Sequence, residues 1–365
     1  MNAPPPLIEL LGARWVAEAP VVAAVWDATG LYAGFALGDG TLALATGTWE
    51  DGPRLTPGES GGVEFVQAQA PPTPLARFSV HDSTCLGLAA DPAGGFLSGG
   101  DDGRLVHLNV DGASEVLADP AGEWIDLVAA SPAGSRAYAT GRRVHLLGAR
   151  PGSLTLSGSA TALVFDPAGT QLAISHQGGV TLWSADTREK RHLAWPGYHR
   201  TVAWSPDGRY LVSGMEENAL HGWRLSDGGD IEMGGYPGQP RSLSFSADGR
   251  FLATSGGLRP VCWRFDPPGG DDHQPHECGV ASKTPVSQVA CHPTHPLLAV
   301  GYHSGAVLLC QPGSGDVLVI KHSGTSPVST VAWSPDGARL ALGTEDGELA
   351  LVFLPDLLFR FRSPG

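Results

Sequence analysis

Two imidazoles and a thiol fall within six residues in Asp271-Asp272-His273-Gln274-Pro275-His276-Glu277-Cys278. A second group follows in Cys291-His292-Pro293-Thr294-His295. Zn²⁺ takes four nitrogen or sulfur ligands, and His-x₂-His beside a cysteine is spacing it accepts. A zinc site would use His273, His276, His292, His295 and Cys278. The chain has no Cys-x₂-Cys pair, however, and two separate loops would have to converge. The alternative is that these are ordinary loop histidines, with His292 standing in the serine position of a Ser-Pro turn.

Acid supplies the second candidate. Asp39, Asp101, Asp102, Glu216, Glu217, Glu345 and Asp346 all lie at short Gly-containing or polar turns. Gathered on one face, they would attract a basic peptide or a cation. Asp39, Asp102, Glu217 and Asp346 are the partner-binding candidates. The competing explanation is local, because Asp-Gly is what a tight hairpin requires. Other chemistries find little support. Gly58-Glu59-Ser60-Gly61-Gly62 fits G-x-S-x-G, but no helix pattern follows to make a nucleophile elbow. There is no GxxxxGK[ST] loop and no dinucleotide fingerprint between a strand and a helix. A channel hydrolase would need carboxylates on innermost strands, where Asp126 is the main candidate.

The elements that must position these groups are set by a repeat. Trp204-Ser205-Pro206-Asp207-Gly208 recurs as Trp333-Ser334-Pro335-Asp336-Gly337. Looser copies include Phe245-Ser246-Ala247-Asp248-Gly249, Phe165-Asp166-Pro167-Ala168-Gly169 and Ala130-Ser131-Pro132-Ala133-Gly134. Proline presets φ, aspartate bonds locally and glycine takes positive φ, so each copy is a turn. Alternating apolar runs flank it, and a second turn such as Glu345-Asp346-Gly347 leads to a third run. Third runs end 16 or 17 residues past the first turn in eight units. Each unit needs a fourth strand to cover its apolar faces, and the stretches at 75–80, 154–156, 192–195, 230–233 and 317–320 supply it. The last unit ends near residue 354, so its fourth strand is expected at 12–17.

Four antiparallel strands in about 40–45 residues, repeated, make a β-propeller blade. The expectation is all-β: one closed β-propeller spanning 1–365, with eight blades, or seven as the alternative. An insertion at 47–74 belongs to the first repeat. Trp26, Trp204 and Trp333, at the ends of first strands, are expected to pack between neighbouring blades.

The two Ser-Pro-Asp-Gly turns and the third-strand residues Trp183, Trp223 and Trp263 resemble the WD40 repeat family. His81, His199 and His322 match that family's Gly-His position. The resemblance implies a buried His–Ser/Thr–Asp–Trp set, nearest to complete in the fifth unit with His199, Ser213, Glu217 and Trp223. The second unit has His81, Ser98 and Asp102, with Leu108 in the tryptophan position. No Trp-Asp dipeptide is present. The resemblance also implies an interaction platform without catalysis.

Composition agrees. Gly is 50 and Pro is 30, yet 42% of residues are apolar, which suits a turn-rich protein with a large core. The net charge of −14 makes nucleic acid and anionic membranes poor partners. No apolar run reaches the length of a membrane span, and the first fifteen residues lack a signal peptide's basic start. Five scattered cysteines fit a reducing compartment. The reading is a cytoplasmic, bacterial-type, non-catalytic scaffold for a protein or peptide partner of basic character. Zinc is the only cofactor with any support.

Overall fold

The computed structural model describes residues 4–58, 62–120, 122–265 and 275–359. Their regular structure is almost entirely antiparallel strand, apart from a short helix at Leu7–Leu11 and a 3₁₀ turn at Asp356–Phe359. The strands alternate branched or aromatic residues with small ones and are broken by Pro, Asp and Gly. That composition favours pleated pairing over helix.

The second unit shows the pattern. Cys85–Ala90, Phe96–Gly100, Leu105–Leu108 and Ser114–Ala118 pair in chain order, each antiparallel to the next. Phe96, Leu97, Leu105 and Leu108 are fully buried. The turn at Asp91-Pro92-Ala93-Gly94 closes with an amide bond from Gly94 to the Asp91 carbonyl. Sheets of this kind repeat along the whole chain.

Innermost strands pack side by side in a ring. In order they are Val21–Trp26, Cys85–Ala90, Leu127–Ala130, Ala162–Phe165, Lys190–Trp204, Leu243–Phe245, Val286–Cys291 and Val328–Trp333, and the last packs on the first. Three tryptophans stitch this ring together. Trp26 Nε1 donates to the Ala332 carbonyl, Trp204 Nε1 to Val164 and Trp333 Nε1 to Ala290, each reaching the neighbouring inner strand. The expected packing role of these residues is thus met by a specific hydrogen bond as well as by burial.

Closure is made by the two ends of the chain. Gly12–Val16 pairs antiparallel with Glu348–Phe353, in register from Gly12↔Val352 to Val16↔Glu348. The helix Leu7–Leu11 then buries Leu7, Ile8 and Leu11 against the same unit.

Three expectations need correction. First, eight blades were expected, with seven as the alternative; among the described residues seven sheets of four or more strands are present, because the fourth and fifth units share one six-stranded sheet. In that sheet Gln171–Ser184 and Lys190–Trp204 are continuous extended segments. Gln171–Ser184 nevertheless folds back on itself. Gly178 and Gly179 take φ of 88° and 138°, His176 Nε2 meets Thr181 Oγ1 at 2.9 Å, and the Ala185 amide donates to the Thr170 carbonyl. Second, the insertion is not merely a loop. It carries its own hairpin, Arg54–Pro57 with Val63–Val66, and the Trp49 ring lies against Phe353. The Ser60 motif at its tip falls outside the described residues. Third, the second and sixth units have fourth strands that the pattern did not reveal, Ser114–Ala118 and Pro275–Glu277.

Candidate interaction face

In a four-stranded blade, the turn between strands two and three lies on the same face as the link into the next first strand. That face gathers Asp39, Asp101, Asp102, Glu216, Glu217, Glu345 and Asp346, and the turn chemistry of each decides how free it is.

Asp102 is the least free. Its side chain is only 8% exposed and accepts from His81 Nδ1 at 3.0 Å, the Asp82 amide at 3.1 Å and the Arg104 amide at 3.0 Å. The Arg104 guanidinium donates to it as well. Burial alone would raise the carboxyl pKa. The Arg104 amide and guanidinium, the Asp82 amide and the His81 charge overcome that and hold it at about 2. His81 passes the chain inward, its Nε2 lying 2.9 Å from Ser98 Oγ. Burial keeps the imidazole pKa below its ordinary value, although Asp102 pulls it up.

The fifth unit was expected to hold this set most completely, and it does not. His199 Nδ1 does meet Ser213 Oγ at 2.7 Å, but its Nε2 turns to the Trp195 carbonyl. Glu217 is a methylene longer than aspartate and instead caps the Tyr198 amide at 3.0 Å. The second unit carries the His–Ser–Asp part without a tryptophan. In the sixth unit a tyrosine does the histidine's work: the Tyr236 hydroxyl meets Thr254 Oγ1 at 2.6 Å and receives Trp263 Nε1 at 2.5 Å. His322 was placed in the family position and is instead exposed; Thr325 makes the contact, donating to Asp346 at 3.0 Å. Asp346 also accepts from Thr344 Oγ1 at 2.6 Å, and Asp39 caps the Thr41 amide at 3.1 Å. All four named carboxylates therefore have a turn-building bond. Asp39, Glu217 and Asp346 remain exposed.

The corresponding turns of the fourth and seventh units carry His176 and His303. His176 is buried, with Nε2 on Thr181, whereas His303 is exposed. His303 lines a cleft of about 1080 Å³ at the mouth of the ring, formed by strand starts and turns of five units. Gln239, Arg241, Gln288, Ser329 and Glu345 share its wall. The lining mixes apolar groups such as Val21, Val22, Leu258 and Val286 with neutral polar ones, and holds one carboxylate and one guanidinium. A second cleft on this face, about 520 Å³, lies between Trp124, Asp126, Arg142 and Arg143. Trp124 is 64% exposed, and burial raises the Asp126 carboxyl pKa. Sequence reading passed over Trp124, which sits in a link rather than in the repeat.

The described zinc candidates, His276, His292, His295 and Cys278, are each engaged elsewhere. Both ring nitrogens of His292 are engaged: Nε2 lies 3.0 Å from the Gly337 carbonyl, and Nδ1 accepts the Thr294 and His295 amides at 3.1 and 2.9 Å. That is the turn role of a serine, as Ser131 shows by donating to the Gly169 carbonyl of the next unit. His295 points to Asp356 at 3.5 Å, His276 lies edge-on to Phe251, and Cys278 is buried beside Cys262. His273 lies outside the described residues. Among the described residues no three His, Cys, Asp or Glu are grouped to hold a metal ion.

Comparison with known proteins agrees with this geometry. Residues 72–107 and 197–224 match the family model described as WD domain, G-beta repeat. Residues 289–354 match that of the anaphase-promoting complex subunit 4 WD40 domain. This chain is a WD40-repeat β-propeller protein. The WD40 relatives include human echinoderm microtubule-associated protein-like 2, 29% identical over 181 residues, covering 48% of this chain and 27% of that protein. Echinoderm microtubule-associated protein-like 4 of Xenopus laevis is 26% identical over 176 residues, covering 47% and 18%. Pre-rRNA-processing protein IPI3 of Mycosarcoma maydis is 36% identical over 73 residues, covering 20% and 12%. The chain thus spans about a quarter or less of the curated relatives it matches. The crystal structure of the computationally designed Ika8 protein superposes with a TM-score of 0.71 at 15% identity, covering 94% of this chain and 99% of that one, a likeness of fold. WD40 propellers of this kind are typically non-enzymatic interaction scaffolds. Among the described residues no helix is long and apolar enough to cross a membrane.

Proposed function

We propose that this propeller is a non-catalytic scaffold that docks a protein or peptide partner on the face bearing the two clefts. The observation that carries the reading is the cleft at the ring mouth. Its walls are strand starts and short turns fixed by buried sheets, so a partner would bind with little ordering of the receptor. Carboxamides, serines and His303 offer hydrogen bonds to a peptide backbone. The exposed carboxylates of Asp39, Glu217, Glu345 and Asp346 around it favour a basic partner, as does the net charge of −14.

Quantitative capture from the native cell tests this. A Gln288→Ala, His303→Ala, Glu345→Gln variant should fold normally and lose the wild-type set of captured proteins. Unchanged capture would move the binding surface elsewhere.

We also read the platform as eight blades, the shared sheet being two blades joined by continuous strands. The eight inner strands in mutual contact and the fold-back within Gln171–Ser184 support this. A crystal structure with seven inner strands would overturn it.

A further inference from the structure

Four of the five cysteines meet at one seam, between the sixth and seventh units. Cys262, Cys278 and Cys310 belong to the same buried cluster, and Cys291 packs against it. Two of them lie in direct contact. Cys262 is on the strand Val261–Arg264, opposite His276 on the edge strand Pro275–Glu277. Side chains alternate along a strand, so Cys278 returns to the face that Cys262 occupies. The chain leaves the edge strand at this point, and the Cys278 amide bonds back to the Pro260 carbonyl. This turn draws the thiols together, with Sγ to Sγ at 2.6 Å, and both residues are fully buried.

The other two thiols of the seam are differently placed. Cys291 Sγ is spent on the Ser244 carbonyl at 3.2 Å, and Cys310 sits among Leu298, Val300 and other apolar groups. Burial pushes both up to about 12, so they stay protonated and unreactive. The Cys262 hydrogen bond lowers Cys278 instead, and the burden of the shared proton falls on Cys262. Cys278 directly follows the edge strand and is the sulfur that its opening uncovers, so it attacks, and Cys262 on the inner neighbour strand resolves.

We propose that Cys262 and Cys278 are a covalent modification site, closed to a disulfide by hydrogen peroxide. The Cys278 thiolate attacks one peroxide oxygen and the O–O bond breaks. The leaving hydroxide takes up the proton that Cys278 released and departs as water, leaving a sulfenic acid. The Cys262 sulfur then attacks Cys278 Sγ, and the sulfenic hydroxyl leaves as a second water with the Cys262 proton. Two thiols are oxidised by two electrons and one peroxide becomes two waters. Access is by opening of the edge strand, which is three residues long and paired on one side only. Closing the bond would tie that strand to its neighbour.

Differential alkylation of the intact protein tests the proposal. After peroxide treatment, free thiols are capped with N-ethylmaleimide in denaturant. The sample is then reduced and labelled with iodoacetamide, and the peptides are weighed. Cys262 and Cys278 should carry the second label in equal amounts, with Cys85, Cys291 and Cys310 carrying the first. Oxidised protein should also melt higher than reduced protein. In a Cys278→Ser variant, Cys262 should keep the first label and the two melting curves should coincide. First label on all five cysteines of the treated wild type would overturn the proposal. A second label on Cys262 in the variant, paired with Cys291 or Cys310, would do the same. If the variant fails to fold, the wild-type labelling pattern still decides.

Discussion

The imidazole of His81 is clasped by the carboxylate of Asp102, with Nδ1 3.0 Å from Oδ1 and almost no solvent at either side chain. Removing one member of such a pair leaves the other buried without its partner. Asp102→Ala should lower the free energy of unfolding by about 3 kcal/mol in urea titrations. Because the carboxyl titrates near pH 2, that deficit should stay constant between pH 6 and 8. A deficit under about 0.5 kcal/mol would mean the clasp is ornamental.

Acid should loosen the ring before it protonates the Asp102 carboxylate. Burial lowers the folded-state pKa of His81, His176 and His199, and takes His221 to about 4. The unfolded chain takes up protons at these histidines near pH 6.5, where the folded protein resists. Their contribution is complete above that pH and is lost as pH falls from 6.5 through the depressed values. The His221 part is on the order of 3 kcal/mol. Melting temperature should hold above pH 7 and drop steadily from 6.5 to 4. In His221→Gln the drop should be shallower. A flat profile in the wild type would refute this.

Tyr236 offers a test of substitution within the repeat. Tyr236→Phe strips the hydroxyl shared by Thr254 and Trp263, orphaning the buried Trp263 Nε1 donor and leaving Thr254 Oγ1 only its bond to the Val261 carbonyl. The expected cost is about 2 kcal/mol. Trp263→Phe on the same background should cost little more, since the partner is already gone. Additive losses in that double variant would show the bonds to be independent.

The inner tryptophans should each behave as a seam. Trp333→Phe keeps most of the ring's bulk and removes the donor to the Ala290 carbonyl. Hydrogen exchange should speed up at the seam between the seventh and eighth units, with about 1 kcal/mol lost overall. Uniform acceleration across all units would argue for loss of packing instead.

Capture on the cleft face should weaken with salt, because its exposed carboxylates act at long range. Asp39→Asn with Glu217→Gln should reduce that salt dependence without shifting the melting temperature by more than about 2 °C. Salt-independent capture would dissociate the acid from the partner.

The repeat was legible because turns and periodicity are local. Pro, Asp and Gly fix the bend wherever they stand, and the spacing to the third strand needs no knowledge of neighbours. The closing strand was legible too, since the last unit lacked a cover and the N-terminal run had none. Side-chain networks were harder to read. Glu217 is one methylene too long to reach His199 once Tyr198 offers an amide, and no sequence pattern reveals that competition. Tyr236 replaced a histidine at a different spacing, whereas the turn role of His292 was readable from its place in a Ser-Pro copy. Ser114–Ala118 carries exposed polar residues on both sides of its run, so its strand character comes from the partner it pairs with.

The pairing of Gly12–Val16 with Glu348–Phe353 sets a timetable for biosynthesis. Gly12–Val16 has no mate until Glu348–Phe353, more than 300 residues later, has left the ribosome. Until then the open circle presents two bare flanks, and any nascent product cut short of the final strand would keep them. Sealing of the ring waits on Glu348–Phe353.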